Sequence, residues 1–259
     1  MKDDSNWKES WEAKFASNAS DYEADRGTGK RDDILDRLST AELLEFIDPH
    51  PTDVVFDAGC GTGMNVVLLH DRVGRIVAID FAESAVQRAK SRAAAAGITN
   101  VEFSQGDILR TNLADGSVDK ILCLSVFHYL TDEQVRDCLR SFKRVLRDGG
   151  VVILHVKNLA SLYLSTLLMA KQLLRLAGWR PNLSEHFRTF NWYCRELRAA
   201  GFEIEAFNSF NVLVLERMPR RLIESLQRLE LSQRRRFPFS TAVVRRLGAD
   251  LKIRARSSD

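Results

Sequence analysis

Apolar residues gather into short runs along the chain, and the segments between the runs change period. Val54-Val55-Phe56, Ile76-Val77-Ala78-Ile79, Ile121-Leu122-Cys123-Leu124 and Val151-Val152-Ile153-Leu154 are continuous apolar stretches of strand length, and Asn100 to Ile108 supplies another. Continuous runs predict strands buried on both faces. Helical period fills the gaps, over 64–72, over 83–96 up to Gly97, and over 132–147. The last is opened by Thr131-Asp132-Glu133-Gln134 and closed by Asp148-Gly149-Gly150. Ahead of the first strand, Ser39-Thr40-Ala41-Glu42 reads as a capping box for a helix bearing Leu43, Leu44, Phe46 and Ile47, stopped by Asp48-Pro49. Strict alternation of strand and helix predicts βαβ crossovers and a parallel sheet covered on both faces.

The pattern changes at both ends. Trp7, Trp11 and Phe15 recur every four residues, which predicts an amphipathic helix packing on the domain. After the fifth strand, which runs to Asn158, about thirty residues intervene before a helix at Trp192–Ala200 and a strand at Phe202–Phe207. Leu159 to Trp179 is strongly apolar. Lys171, Gln172 and Arg175 interrupt it, so it predicts an amphipathic helix and not a membrane span. That insertion reads as a lid over a greasy pocket, with a helix lying on a membrane as the alternative. A further helix is expected over Arg220–Leu231, and Ala249 to Arg256 alternates as an edge strand would.

Chemistry concentrates where the first strand ends. Asp57-Ala58-Gly59-Cys60-Gly61-Thr62-Gly63 is a turn whose glycines let backbone amides touch a ligand. A dinucleotide fingerprint would place glycine where Met64 stands, and no Gly-Lys-Ser/Thr follows. NAD and a phosphate loop are therefore disfavoured. The second strand ends in Asp80-Phe81 and the third in Asp107-Ile108. One carboxylate can accept both hydroxyls of a ribose, and a second can accept from an exocyclic amine, which are the polar groups of an adenosine.

These residues resemble the motifs of class I S-adenosylmethionine-dependent methyltransferases of the small-molecule type, and the match spans roughly residues 20 to 205. The resemblance implies a Rossmann-like α/β fold with a seven-stranded, mostly parallel sheet. Its last strand would be antiparallel, between the fifth and sixth, with helices on both faces and a helical insertion after the fifth strand. It implies that Asp57 with Gly59, Gly61 and Gly63 holds the methionine part of S-adenosyl-L-methionine, Asp80 the ribose, and Asp107 and Ile108 with Phe81 the adenine. Cys60 in the loop and Ser125 at the exit of the fourth strand are counted with them. In similar enzymes the N-terminal segment covers the cofactor and an aromatic flanks the sulfonium, a role that would fall to Tyr22. The expected layout is an N-terminal helical cap over 1–38 and a methyltransferase domain over 39–259, with a lid insertion at 158–189 and a helical basic insertion at 208–247.

Methyl transfer needs alignment more than an enzyme nucleophile, but a hydroxyl acceptor gains from a base. His128, at the exit of the fourth strand, is the candidate base or acceptor-orienting group. His186 is a second candidate, because similar methyltransferases carry a basic or histidine-bearing stretch before the following helix. His155 lies inside a strand and reads as structural. No Asp/Asn-Pro-Pro-aromatic segment and no Pro-Cys pair follows the fourth strand, where Ser125-Val126-Phe127-His128 stands instead, so nucleic-acid bases are disfavoured as acceptors.

Composition then narrows the partners. The net charge is only +3, yet residues 1–50 sum to −6 and residues 217–256 to +9. A basic end beside an apolar insertion suits a small, partly hydrophobic or lipid-linked acceptor, methylated on oxygen or nitrogen, with peripheral contact at the inner membrane face. An RNA methyltransferase and a non-catalytic cofactor-binding module docking on a partner or membrane are the competing readings. The four cysteines, Cys60, Cys123, Cys138 and Cys194, form no C-x-x-C pair and no metal spacing. With no signal-peptide core in the first residues, they predict reduced thiols in a cytoplasmic protein.

Overall fold

The computed structural model describes residues 5–17, 40–41, 43–161, 165, 169, 186–210 and 250–258. Tyr22, residues 162–164, 166–168 and 170–185 of the expected lid at 158–189, and residues 211–247 of the expected basic insertion at 208–247 lie outside them. In chain order the elements are α1 (Ser5–Ala16), β1 (Val54–Ala58), α2 (Met64–Leu69), β2 (Arg75–Asp80), α3 (Glu83–Ala95), β3 (Val101–Gln105), β4 (Val118–Leu124), α4 (Asp132–Val145), β5 (Leu146–Lys157), α5 (Phe190–Ala199), β6 (Phe202–Phe210) and β7 (Asp250–Ser257). Residues 43–47 are also helical, and short 3₁₀ turns stand at Ile108–Arg110 and Phe127–Tyr129.

One sheet carries all seven strands in the order β3-β2-β1-β4-β5-β7-β6. The first five are parallel to one another, and β7 runs antiparallel between β5 and β6. The chain steps outward from β1 to β3 on one side, then restarts at β4 on the other. This makes the β1/β4 seam a topological switch point, where the crevice of such sheets opens.

Adjacent residues on the central strands serve opposite layers, and this is why their runs are continuously apolar. Phe56, Ile121 and Leu154 join a core with Phe142 of α4 and Tyr193 of α5. Val55, Leu122 and Ile153 join another with Ile47 and Leu69. The rings of Phe56 and Phe127 each lie 6.2 Å from Phe142. Thr131 and Gln134 form the expected capping box of α4, with Thr131 N–H donating to Gln134 Oε1 at 2.8 Å and Gln134 N–H to Thr131 Oγ1 at 3.3 Å.

Two boundaries differ from the sequence expectation. The α4 helix ends at Val145, before the glycines, and β5 begins at once, carrying Gly149 and Gly150 inside it. Val118 pairs with Leu146 and Lys120 with Val151, so the glycines lie in an irregular stretch of the ladder. Gly149 has φ 71°, and a Cβ on Gly150 would come within 2.9 Å of the Arg147 carbonyl oxygen. The residues that looked like a helix stop are a strand distortion. The second difference is β7, whose alternation predicts an edge. It is interior, with Leu251, Ile253 and Ala255 fully buried, and the polar partners are satisfied, Arg254 donating to Glu205 Oε2 at 2.7 Å and to the Phe46 carbonyl at 2.6 Å.

The α1 helix lies against α3. Ser84 donates its backbone N–H to Glu12 Oε1 at 3.1 Å, Arg88 donates to the Phe15 carbonyl at 3.0 Å, and Phe15 packs with Ala82 and Ala85. Among the described residues no helix is long and apolar enough to cross a membrane.

Phe142 joins both phenylalanine contacts with no exposed surface. Phe142→Ala should cost about 3–5 kcal/mol, read as a lowered urea midpoint with an unchanged slope.

Candidate functional site

The carboxyl ends of β1, β2 and β4 hold the glycine turn from three directions. Gly59, Gly61 and Gly63 have φ of 88°, 51° and 80°, the left-handed region that side chains resist. The backbone N–H groups of Gly59 and Cys60 both donate to the Ile79 carbonyl at 2.9 Å, which ties the turn to β2. Gly61 N–H donates to Asp80 Oδ2 at 2.9 Å, and Ala82 N–H donates to Asp80 Oδ1 at 3.0 Å. A Cβ on Gly59 would lie 2.5 Å from Cγ2 of Val126, just beyond β4. The turn therefore has no room for a side chain on the β4 side.

Around this turn the acids line up in the strand order. Asp57 is 1% exposed, and the Asn65 amide of α2 donates to its oxygens at 3.3 and 3.4 Å. A carboxylate this deep needs donors, and Asn65 gives it one that the sequence reading did not single out. Both carboxylate oxygens of Asp80 are thus engaged by backbone N–H groups of the rim. Gly106 N–H donates to the Asp80 carbonyl at 2.9 Å, which brings Asp107 and Ile108 alongside. Asp107 caps the following 3₁₀ turn through Leu109 N–H at 3.0 Å. Its other oxygen lies 3.6 Å from Nζ of Lys8, and its side chain is half exposed. Ile108 is buried, and Phe81 is partly buried beside Trp11 and Phe15. The turn, Asp57, Asp80, Phe81, Asp107 and Ile108 are thus assembled on one rim.

The α1 helix crosses above that rim. Lys8 reaches Asp107 at one end, and the ring of Trp11 meets Tyr129 edge-on at 5.6 Å at the other. Trp11 stacks on Phe15, with ring centroids 5.3 Å apart, so two aromatics of the N-terminal segment stand here.

On the β4 side, Ser125 has φ 63°, a strained conformation for a residue with a side chain, and it is exposed. His128 follows at 3% exposure. Burial first, then the charges of Lys157 and the neighbouring His155, hold its imidazole down to about 3, so the ring is neutral. His186 is exposed, and its backbone N–H donates to the His128 carbonyl at 2.6 Å. The two histidine positions are therefore joined through the main chain.

What fastens that junction is Arg188, which the sequence reading did not single out. It is 5% exposed, donates to Asp132 Oδ1 at 2.7 Å and to the carbonyls of Phe127 at 2.9 Å and Leu130 at 2.5 Å, and lies 4.6 Å from the Trp192 ring. A lone arginine gives no periodic signal. The nearby acid at Asp132, on a helix first turn, is the only hint that a sequence could carry.

Comparison with known proteins adds a family. Residues 55–150 match the family model described as a methyltransferase domain. The 2-heptyl-1-hydroxyquinolin-4(1H)-one methyltransferase of Mycobacteroides abscessus is 34% identical over 121 residues, covering 46% of this chain and 53% of that protein. Phosphoethanolamine N-methyltransferase 1 of Caenorhabditis elegans is 28% identical over 170 residues, covering 66% of this chain and 33% of that protein. The chain thus spans about half, or less, of the length of these relatives. The crystal structure of geranyl diphosphate C-methyltransferase from Streptomyces coelicolor, in complex with Mg2+, geranyl diphosphate and S-adenosyl-L-homocysteine, superposes with a TM-score of 0.58 at 18% identity, covering 86% of this chain and 80% of that one. It shares the fold.

Two outcomes follow from the geometry. Gly59→Ala should lower the melting temperature, and adding Val126→Ala should recover part of the loss, since it removes the clash but not the positive φ. His128 gives the folded state a neutral ring where the unfolded chain would bind a proton, so its contribution is present above pH 6.5 and lost as pH falls towards 3. His128→Gln should therefore lose about 2 kcal/mol less stability than wild type between pH 7 and pH 5, measured by urea unfolding at both values.

Proposed function

This chain carries a class I S-adenosylmethionine-dependent methyltransferase domain, and from that premise we propose that it transfers the methyl group of S-adenosyl-L-methionine to an oxygen or nitrogen of a small, partly hydrophobic acceptor. The observation that supports this reading is the glycine turn hooked to Asp80, with no room for a Cβ at Gly59 and with acids at the ends of three neighbouring strands.

The residues fit the donor by their chemistry. Asp57 supplies negative charge beside the turn for an ammonium. Asp80 offers a carboxylate acceptor to ribose hydroxyls, and Asp107 offers an acceptor to an exocyclic amine beside the apolar Ile108 and Phe81. Gly59, Cys60, Gly61 and Gly63 allow the backbone to approach closely. Ser125 stands at the edge nearest the acceptor. Tyr22, from the N-terminal segment, is the aromatic assigned to the sulfonium. When bound, the donor supplies an electrophilic methyl carbon. The chain's own task is to align the acceptor with that carbon and exclude water, a proximity effect worth roughly 7–11 kcal/mol.

His128 and His186 belong to the acceptor side. A ring held to about 3 is a weak proton acceptor, so we assign His128 the orienting role rather than that of base. The apolar stretch 159–179 supports an acceptor with a hydrophobic part, covered by a lid or presented at a membrane face. The relatives named above, one acting on a hydroxyquinolinone and one on phosphoethanolamine by name, support small molecules over RNA.

Isothermal calorimetry of the full chain should show S-adenosylhomocysteine binding, and Asp80→Ala should weaken it at least tenfold. No heat in wild type would overturn the reading. Binding without turnover on any fraction of a cell extract would favour a non-catalytic module.

A further inference from the structure

The β7 strand is antiparallel, so it begins where its parallel neighbours end, and its first residue brings an acid to the acceptor side of the rim. Asp250 pairs with Lys157 in the ladder, and His155 pairs with Lys252. The imidazole of His155 lies between two partners. Its Nδ1 is 3.0 Å from Ser125 Oγ, and its Nε2 is 3.5 Å from Asp250 Oδ1. Lys157 Nζ shares that same carboxylate oxygen at 2.7 Å. Asp250 is 7% exposed, whereas Ser125 is exposed and adjoins Val126, the residue packed against the glycine turn. The line of groups thus runs from a buried acid to an open hydroxyl beside the donor turn.

The partners fix the tautomer. A carboxylate can only accept, so Nε2 carries the ring proton, which leaves the Nδ1 lone pair to accept from the Ser125 hydroxyl. This is the logic of a hydroxyl–imidazole–carboxylate triad, recognised by roles and not by position in the chain. The Nε2 to Asp250 separation is long for a hydrogen bond, as such contacts are before a ligand arrives.

Resting on the methyltransferase reading above, we propose that Ser125, His155 and Asp250 form a proton relay serving an acceptor with an acidic hydroxyl, phenolic or N-hydroxy in class. As the acceptor oxygen bonds to the methyl carbon, the carbon–sulfur bond breaks and its electron pair stays on sulfur. The acceptor proton passes to Ser125 Oγ, and the Ser125 proton passes to His155 Nδ1. The positive charge lost from sulfur reappears on the imidazole, held by Asp250, and bulk water later removes the proton.

The electrostatic setting selects the acceptor. The groups facing His155 are Asp250 and Lys252 from β7, Lys157 from its own strand and His128 from the turn after β4. Desolvation lowers the imidazole from its ordinary value, Asp250 opposes that, and Lys157 and Lys252 add to it. A base so weakened is mismatched to an aliphatic alcohol and suited to a hydroxyl that is already acidic.

Histidine-selective 15N spectra of the full chain, assigned with His155→Gln, read the tautomer without any turnover. The expected result is an Nε2-protonated ring in wild type that becomes a mixture in Asp250→Ala. An Nδ1-protonated ring overturns the relay. With 4-methylphenol as acceptor, a phenol that is still protonated at neutral pH, and release of S-adenosylhomocysteine as the readout, His155→Gln should lower kcat 10²-fold or more, with KM within threefold and S-adenosylhomocysteine affinity unchanged. A kcat within threefold of wild type overturns the proposal, as does a chain that binds S-adenosylhomocysteine yet leaves 4-methylphenol untouched. Failure to bind S-adenosylhomocysteine would instead sink the methyltransferase reading, and the tautomer would still report on the triad.

Discussion

A turn with glycine at alternate positions, pinned to three strands at once, is the constraint on which this molecule depends. Gly59 and Cys60 are held by one carbonyl of β2, Gly61 by the carboxylate at the end of that strand, and Gly59 has Val126 against its α-carbon. These holds differ in strength. A backbone pair contributes roughly 0.5–1.5 kcal/mol, and a bond to an ionised acceptor about 1.5–3. Asp80 is thus the strongest of them, and it accepts from Ala82 as well. One side chain sets the turn's position and faces the same rim, so the local fold and any ligand bound there share a single point of failure.

That constraint was largely legible in the sequence, because it is local. Three glycines at alternate positions, and acids closing successive apolar runs, report themselves by spacing. The β1 to β5 core was legible for the same reason, each run being buried on both faces. Other features depend on contacts between distant segments and leave no periodic trace. Gly149 and Gly150 read as the end of a helix, yet they serve a strand that starts earlier, since the ladder between β4 and β5 is irregular at that point. The alternation of Ala249 to Arg256 reads as an exposed edge. Its polar residues are instead covered from both sides, by Glu205 of β6 and by the carbonyls near 46–47. Only the family resemblance placed that strand correctly.

Arg188 marks a similar limit. A guanidinium at 5% exposure would be costly without partners. Here one carboxylate and the carbonyls of Phe127 and Leu130 take up its donors. Its planar fork can serve several acceptors at once, which a lysine could not do in the same geometry. It clamps the 3₁₀ turn holding His128 to the segment holding His186. The two histidines picked out by sequence are therefore neighbours because of a residue that was not.

The order of the strands divides the site by chemistry. The donor rim is drawn from β1, β2 and β3, and the charged side chains named on it are acidic: Asp57, Asp80 and Asp107. The opposite rim is drawn from β4, β5 and β7, and carries His155, Lys157 and Lys252 around a single acid, Asp250. A cationic ligand is favoured at the first, and at the second an acceptor whose hydroxyl gives up its proton, so the switch point of the sheet is also a change of sign. Reversal of β7 makes this possible. In a parallel orientation its first residue would lie at the far end of the sheet, and the carboxylate that orients His155 would be absent from this pole. The fold alone leaves the acceptor open. The antiparallel strand, by placing Asp250 beside two lysines and an imidazole, is the feature of this chain that narrows it.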